Sequence, residues 1–498
     1  MTSKWDPEIL KQEIAELDAL AGKPLLAKAG GYVKRSGPGL MQSAMTLGAG
    51  SAAASVVAGA SFGYKLLWIQ PVAMFLGIMM LAALGNIVLT TGERPYKAFG
   101  RELSVVLAFL WALGSIVASV IWHFPQYGLV AGAMRDLVTT ASGATMEVTS
   151  GGETSFTPIG LTVSWIAGFL ILGINIVTTW NYGSASRGIK TYEWFLRGII
   201  ALVILSFGIV VVFSLPKIDW VEMGKGFIGW YGIPKAEGSL TLVLGMLGAA
   251  VGINMTFLYP YTLLAKGWGK HHKTLSRWDL AMSTFLPFVL VTSLIIVAMS
   301  VTGVYDQTNE AVRMGMKPLD ASSALTGVMG KTMGRIVLDL GFIGMACGAI
   351  SAHMIVCGFT MCEMLGLQYT VKRYRLFTLL PAIGILGVVT QTPIWFPIAA
   401  SAICFTMLPI AYVMFLILNN KRSYIGNAVG HGLGRTVFNL LLITALAVAI
   451  VGSAIKLKGG VYDKLFAKGQ PVATETIEGG AASAGVDADD PAEAAANQ

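Results

Sequence analysis

Charge is what this chain most lacks. Of its 498 residues only 12% are Asp, Glu, Lys or Arg, about half the share an ordinary soluble domain carries. So few charges cannot dress a water-facing surface of this size, which excludes a soluble globule. Cysteine is scarce as well. The four present, Cys347, Cys357, Cys362 and Cys404, all fall inside apolar runs, as packed small hydrophobes do, and they lack the spacing of a disulfide framework or a metal knuckle. No nucleophile elbow, phosphate-binding loop, zinc motif or paired-carboxylate arrangement occurs, so an enzyme is not expected and no resident cofactor is implied. The first residues are acidic and amphipathic, unlike a cleavable signal peptide.

What is present is apolar length. Hydrophobic residues make up 55% of the chain, the mean hydropathy is +0.68, and runs long enough to cross a bilayer recur throughout. About eleven spans are expected, at 40–62, 66–90, 104–133, 158–181, 194–215, 239–265, 280–304, 335–363, 375–393, 396–418 and 434–456. The third and eighth exceed the need and should tilt or protrude. Thr392-Pro393-Ile394-Trp395 is expected to be a tight turn between the ninth and tenth. The lipid bilayer is therefore the first partner. The net charge of +8 is no nucleic-acid footprint, because the basic residues sit in short loops between apolar runs.

Those loops read as topology. Arg94, Lys97 and Arg101, then Arg187 and Lys190, then Lys266, Lys270, Lys273 and Arg277 fall on one side, joined by Lys372, Arg373, Arg375, Lys421, Arg422 and Arg435. The positive-inside rule puts that side, and with it the N-terminus, in the cytoplasm. An odd number of spans then puts the C-terminus outside, with a plasma (inner) membrane as the expected location. Residues 1–36 precede the membrane. Asp6-Pro7-Glu8 opens a helix whose stripe is Ile9, Leu10, Ile14, Leu17 and Ala21, ending at Gly22. Residues 37–457 form the membrane domain. The acidic, Ala- and Gly-rich tail over 458–498 is expected to be disordered on the outer side.

Two spans are interrupted near their middles by small, flexible residues. The first carries Gly48-Ala49-Gly50-Ser51, the sixth Gly252-Ile253-Asn254. Backbone freed at bilayer depth survives only when buried in protein or facing water. Paired interruptions in corresponding positions point to a secondary transporter's binding site. Ser51 and Asn254 are the candidate polar contacts there, with packing of small residues and helix-to-helix hydrogen bonding as the plainer alternatives. His123 and His353, within the third and eighth spans, are candidates to carry a coupling proton; a neutral histidine bonded inside a helix bundle is the plainer reading. His271 and His272 are a weak metal signal. Asp339 is expected to pair with Arg335 one helical turn earlier.

Gly37-Pro38-Gly39, followed after 19 residues by Gly59-Ala60-Ser61-Phe62-Gly63-Tyr64-Lys65-Leu66-Leu67-Trp68, resembles the Nramp family of divalent-metal transporters. Leu244-Gly245-Met246-Leu247-Gly248-Ala249-Ala250-Val251, Arg277 with Asp279, and Leu408-Pro409-Ile410 with Asn419 to Asn427 add to the likeness, which covers about 37 to 457. The resemblance implies an all-α, LeuT-type membrane fold: two inverted repeats of five helices plus one, with spans 1 and 6 unwound. It also implies transport of a metal cation by alternating access, coupled to protons. The family's first break reads Asp-Pro-Gly-Asn and its sixth-span break Met-Pro-His-Asn. Here those positions hold Gly48, Ala49, Gly50 and Ser51, and Gly252, Ile253, Asn254 and Met255; the acidic positions of the third span fall at Trp122 and Pro125. The family's metal ligands are thus absent. A hydrated cation or a small solute is then the expected substrate, and a membrane scaffold or sensor that keeps the fold without flux is the alternative.

Overall fold

The computed structural model describes residues 7–150, 153–182, 186–308, 330, 332–389 and 395–458. It is helical almost throughout. Eight helices among the described residues are long and apolar enough to cross a bilayer, and a pair bent by 54° adds a ninth. The bent pair is span 1, Pro38–Thr46 followed by Ala49–Phe62. The others are span 2 (Ile69–Thr91), span 3 (Val105–Ser142), span 4 (Pro158–Tyr182), span 5 (Ser186–Ser214), span 6 (Ser239–Ala250 and Ile253–Ala265), span 7 (Lys273 to Ser300), span 8 (Met333–Met364) and span 11 (Gly432–Leu457). Trp395–Asn420 is the tenth helix. Spans 4, 5 and 11 leave Ile166, Phe169, Val177, Leu205, Val212 and Ile450 exposed, the outward belt that a bilayer rather than water would cover. Spans 1 and 8 and the second half of span 6 lie almost wholly inside.

The ninth expected span departs from a regular helix. Val371–Thr378 is α-helical, and the chain then tightens to a 3-10 helix over Leu380–Val388. Pro381 has no N–H to give a regular ladder. Gly384 presses against His123 and Gly387 against the backbone of Phe124, both in span 3, where a Cβ would collide. A 3-10 segment rises ~2 Å per residue, so a short stretch still covers much of the bilayer. The turn placed at Thr392-Pro393-Ile394 lies outside the described residues, as do 1–6, 309–329 and the tail from 459.

Span 3 is overlong, as expected, and runs on to Ser142; an antiparallel hairpin with no signal in the hydropathy follows it, Glu147–Ser150 paired with Glu153–Phe156. Arg135 binds the two together. It donates to Glu147 at 2.8 Å and to the Ser164 hydroxyl at 2.6 Å, while its guanidinium covers the Phe156 ring. The expected Arg335–Asp339 pair does not form: Arg335 forks onto Asp136 of span 3 instead, Nε to Oδ2 at 2.9 Å. A bidentate guanidinium partner on a facing helix outcompetes one on its own.

The expected N-terminal helix is Pro7–Ala21, with a second, Leu25–Arg35, leading to span 1. The start of span 1 is then pinned by span 7. The Asp279 carboxylate accepts the Gly39 N–H at 2.6 Å and the Gly37 N–H at 3.3 Å, and Thr284 donates to the Gly39 carbonyl at 2.9 Å. Gly39 sits so close to the Asp279 backbone that any Cβ would clash. Gly-Pro-Gly is therefore a docking surface for a neighbouring helix as well as a helix start. Beside it Lys266 of span 6 meets Glu193 of span 5 at 2.8 Å and donates to the Arg35 carbonyl at 2.9 Å.

Candidate functional site

The first break falls at Leu47 and Gly48, one step before the expected residues. Leu47 leaves helical geometry at φ −82°, ψ 74°, and Gly48 is extended at φ −133°, ψ −169°. Ala49, Gly50 and Ser51 form the first turn of the second half-helix. The sixth span breaks at Val251 and Gly252, both extended, so that Ile253 and Asn254 likewise open its second half. The shift has a local cause. Ser51 and Asn254 cap the half-helices that follow, which draws them into those helices.

Each break frees backbone groups, and the structure shows where they go. The Gly48 N–H donates to Ser51 Oγ at 3.2 Å, and that hydroxyl donates to the Thr46 carbonyl at 2.7 Å. The Ala49 N–H donates to Gln126 Oε1 of span 3 at 2.9 Å. Thr46 joins the two breaks: its hydroxyl lies 2.8 Å from the Ala250 carbonyl and 3.0 Å from that of Ala249. At the sixth span, the Gly252 N–H reaches Met255 Sδ at 3.4 Å and the Met255 N–H reaches Asn254 Oδ1 at 3.0 Å. Asn254 Nδ2 then crosses to Ser119 Oγ of span 3 at 3.4 Å, while Ser115 donates to the Ile253 carbonyl at 3.3 Å. Each such group left bare would cost about 1–3 kcal/mol, so this internal network stabilises both breaks.

The chemistry offered is dipolar. Half-helix ends of both signs meet here, together with two hydroxyls, the carboxamides of Gln126 and Asn254 and the Met255 thioether. Carboxamide and thioether are thus present at Gln126, Asn254 and Met255, none of them in the place the family's motifs give to such a ligand. The network holds no carboxylate. Among the described residues no cluster of three or more His, Cys, Asp or Glu is placed to hold a metal ion. Gly50 and Gly252 keep partial access to space outside the protein, and the half-buried Trp122 ring lies against Gly50.

Gln126 and Thr46 are the residues that sequence reasoning missed. Both are polar and fully or nearly buried in apolar spans, and that cost was the available signal. His123 and His353 are brought together, ring centroids 5.3 Å apart between spans 3 and 8. His123 lies one helical turn from Ser119 and bonds its carbonyl through Nδ1 at 2.9 Å. His272 is stacked on Trp268 and accepts the Gly269 N–H, a packing role. Cys347, Cys357 and Cys362 are free and buried; the side chain of Cys404 lies outside the described residues.

Residues 39–457 match the family described as natural resistance-associated macrophage protein-like, Nramp. The divalent metal cation transporter MntH of Aeromonas hydrophila subsp. hydrophila is 22% identical over 423 residues, covering 83% of this chain and 93% of that one. The protein of the same name from Klebsiella pneumoniae subsp. pneumoniae is 21% identical over 434 residues, covering 85% and 92%. A mutant of the Eremococcus coleocola manganese transporter superposes with a TM-score of 0.64 at 15% identity, over 89% of this chain and 90% of that one. Mhp1, a transporter of the nucleobase-cation-symport-1 family, superposes at 0.55 and 14% identity, over 86% and 93%. With the family match running from the first broken span to the last helix, and with LeuT-type transporters as structural neighbours, this chain is a member of the Nramp family of membrane transporters, not an enzyme.

Proposed function

We infer that this protein is a secondary transporter that passes a cation between the breaks of spans 1 and 6 by alternating access, and that the cation keeps most of its water. Its relatives named as divalent metal cation transporters support the ion class. The observation that carries the hydrated form is the uncharged lining of the breaks. A divalent ion stripped of water needs several oxygens, some of them anionic, or soft sulfur and imidazole donors. Gln126, Asn254, Ser51 and Thr46 supply dipoles and Met255 a single thioether, and all of these are already engaged with freed backbone. They suit a water shell better than a bare ion. Gly48, Ala49, Gly50, Ser51, Gly252, Ile253 and Asn254 line this route, His123 and His353 carry a coupling proton, and the basic loops place the N-terminus in the cytoplasm of a plasma-membrane protein.

Uptake of magnesium, manganese and calcium into proteoliposomes under an imposed pH gradient tests this. Magnesium entry above that of protein-free vesicles is expected. Saturable manganese uptake untouched by excess magnesium would overturn it. A second reading, a non-transporting scaffold, draws on the Trp122 ring against Gly50 and on Gln126 filling the first break; absence of flux for all three ions would favour it.

A further inference from the structure

Span 11 leaves one face bare where the chain enters it from the basic loop after the tenth helix. That face borders a cavity of about 500 Å³, lined from His431 and Gly432 through Arg435, Asn439 and Leu440 to Ile443. Between Gly432 and Ile443 the helix rises ~17 Å. One headgroup layer is only ~5–8 Å thick, so the cavity runs from the membrane surface into the hydrocarbon. Its two ends differ in chemistry. The lower end is apolar and exposed, Leu440 and Ile443, with Leu433 and Val437 also uncovered beside it. The upper end is polar and holds a cation.

That cation is Arg435, and no residue of the lining is acidic. Arg94, Lys266 and Lys421, in the loops after spans 2, 6 and 10, each meet a carboxylate: Glu363 at 3.3 Å, Glu193 at 2.8 Å and Glu102 at 2.9 Å. Arg435 meets none among the described residues. Its Nε and Nη2 donate to the uncharged Asn420 Oδ1 at 3.3 and 3.1 Å, and the same oxygen accepts Asn439 Nδ2 at 2.8 Å. One edge of the guanidinium is thus fixed to the tenth helix, while Nη1 has no acceptor among the described residues. A guanidinium held by one edge presents the other as a planar fork, the geometry that suits a phosphate. The first turn of span 11 has no side-chain cap, so its free N–H groups and the positive end of its dipole add to the same end.

We propose that this face binds one phospholipid of the leaflet on the basic-loop side, its anionic headgroup on Arg435 and an acyl chain along Leu440 and Ile443. The two-part lining decides against other occupants. A free phosphate would leave the apolar half uncovered. A second copy of this chain, inserted with the same orientation and meeting it through the same patch, would bring two copies of Arg435 to one depth with no acid between them, a costly juxtaposition. A phospholipid answers both ends at once, and basic pockets beside membrane helices hold anionic headgroups in this way. The site is separate from the breaks of spans 1 and 6 and requires no particular cargo.

The test uses purified full-length protein stripped of lipid in mild detergent, with bound lipid counted by native mass spectrometry. Dioleoyl phosphatidylglycerol, dioleoyl phosphatidylcholine and glycerol phosphate are titrated separately. One phosphatidylglycerol should bind at concentrations about tenfold below those phosphatidylcholine needs, the weight of one charge-assisted bond, and glycerol phosphate should not bind. Arg435→Gln should abolish that preference. Leu440→Trp, which fills the apolar half and keeps Arg435 on Asn420, should weaken both lipids together, and it carries the comparison if Arg435→Gln does not fold. Arg422→Gln removes an exposed cation of the same loop that lies outside the lining, and it should change neither lipid. Equal binding of the two lipids, equal losses from Arg422→Gln and Arg435→Gln, or saturation by glycerol phosphate at the same concentrations overturns the site. So does a dimer that Leu440→Trp dissociates, which would give this face to a second copy.

Discussion

The two breaks and the seam of spans 3 and 8 are neighbouring regions with opposite habits. At the breaks, uncharged side chains satisfy backbone that helix interruption has freed, and most polar atoms there have a partner. Along the seam, where His123 faces His353, polar side chains stand on regular helices, and the Tyr127 hydroxyl, His123 Nε2, His353 Nδ1 and both Asp339 oxygens go without one. The difference teaches where each kind of polarity comes from. At the breaks it is required by the fold, since backbone in a membrane must be paired internally. On the seam nothing in the backbone requires it, so its polar groups are available for ions and water.

Substitutions can break that comparison. The largest effect is expected at Gln126. Gln126→Leu leaves the Ala49 N–H bare in a buried break and should remove up to about 3 kcal/mol, read as a lowered Tm in detergent. Thr46→Val, which strips the donor from the Ala249 and Ala250 carbonyls, should cost about 1 kcal/mol by the same measurement. Tyr127→Phe should do the reverse of Gln126→Leu. Its hydroxyl has no partner to lose, so Tm should hold or rise. A large loss of Tm there would show that the seam, too, is structural.

The smallest effect belongs outside both regions. Glu102 takes a 2.9 Å bond from Lys421 and another from Arg101, and these hold its carboxyl below the ordinary range. A depressed carboxylate stabilises the fold above its unfolded pKa, about 4.3, and loses that contribution as pH falls through the folded value. Glu102→Gln should therefore lower stability at pH 7 by no more than a few tenths of a kcal/mol, with the gap to wild type closing towards acid.

Much of the fold was legible because bilayer length and helix-breaking residues leave plain marks in sequence. Gly48 and Gly252 told where spans 1 and 6 would open, to within a residue or two. The 3-10 turn of the ninth span was hidden because Gly384 and Gly387 take their meaning only from His123 and Phe124 of span 3, which they touch. The candidate site was half legible. Ser51 and Asn254 stood at the breaks in sequence, but as caps. Gln126 sits far along the chain from the Ala49 it serves, beside Pro125, and only three dimensions join them. Asp339 was misassigned for the same reason: its helix neighbour Arg335 had a better partner on span 3.

The most direct measurement is titration calorimetry of manganese into the purified wild-type protein, alongside the double variant Gly48→Asp and Gly252→Met. Both positions have backbone angles open to any side chain, and a Cβ at 48 would meet Gln126 Nε2 and one at 252 Asn254 Oδ1, each the far end of a flexible side chain. If the breaks are silent to a bare transition metal for want of charge, wild type gives no saturable heat and the double variant does. Saturable manganese binding by wild type would contradict that claim.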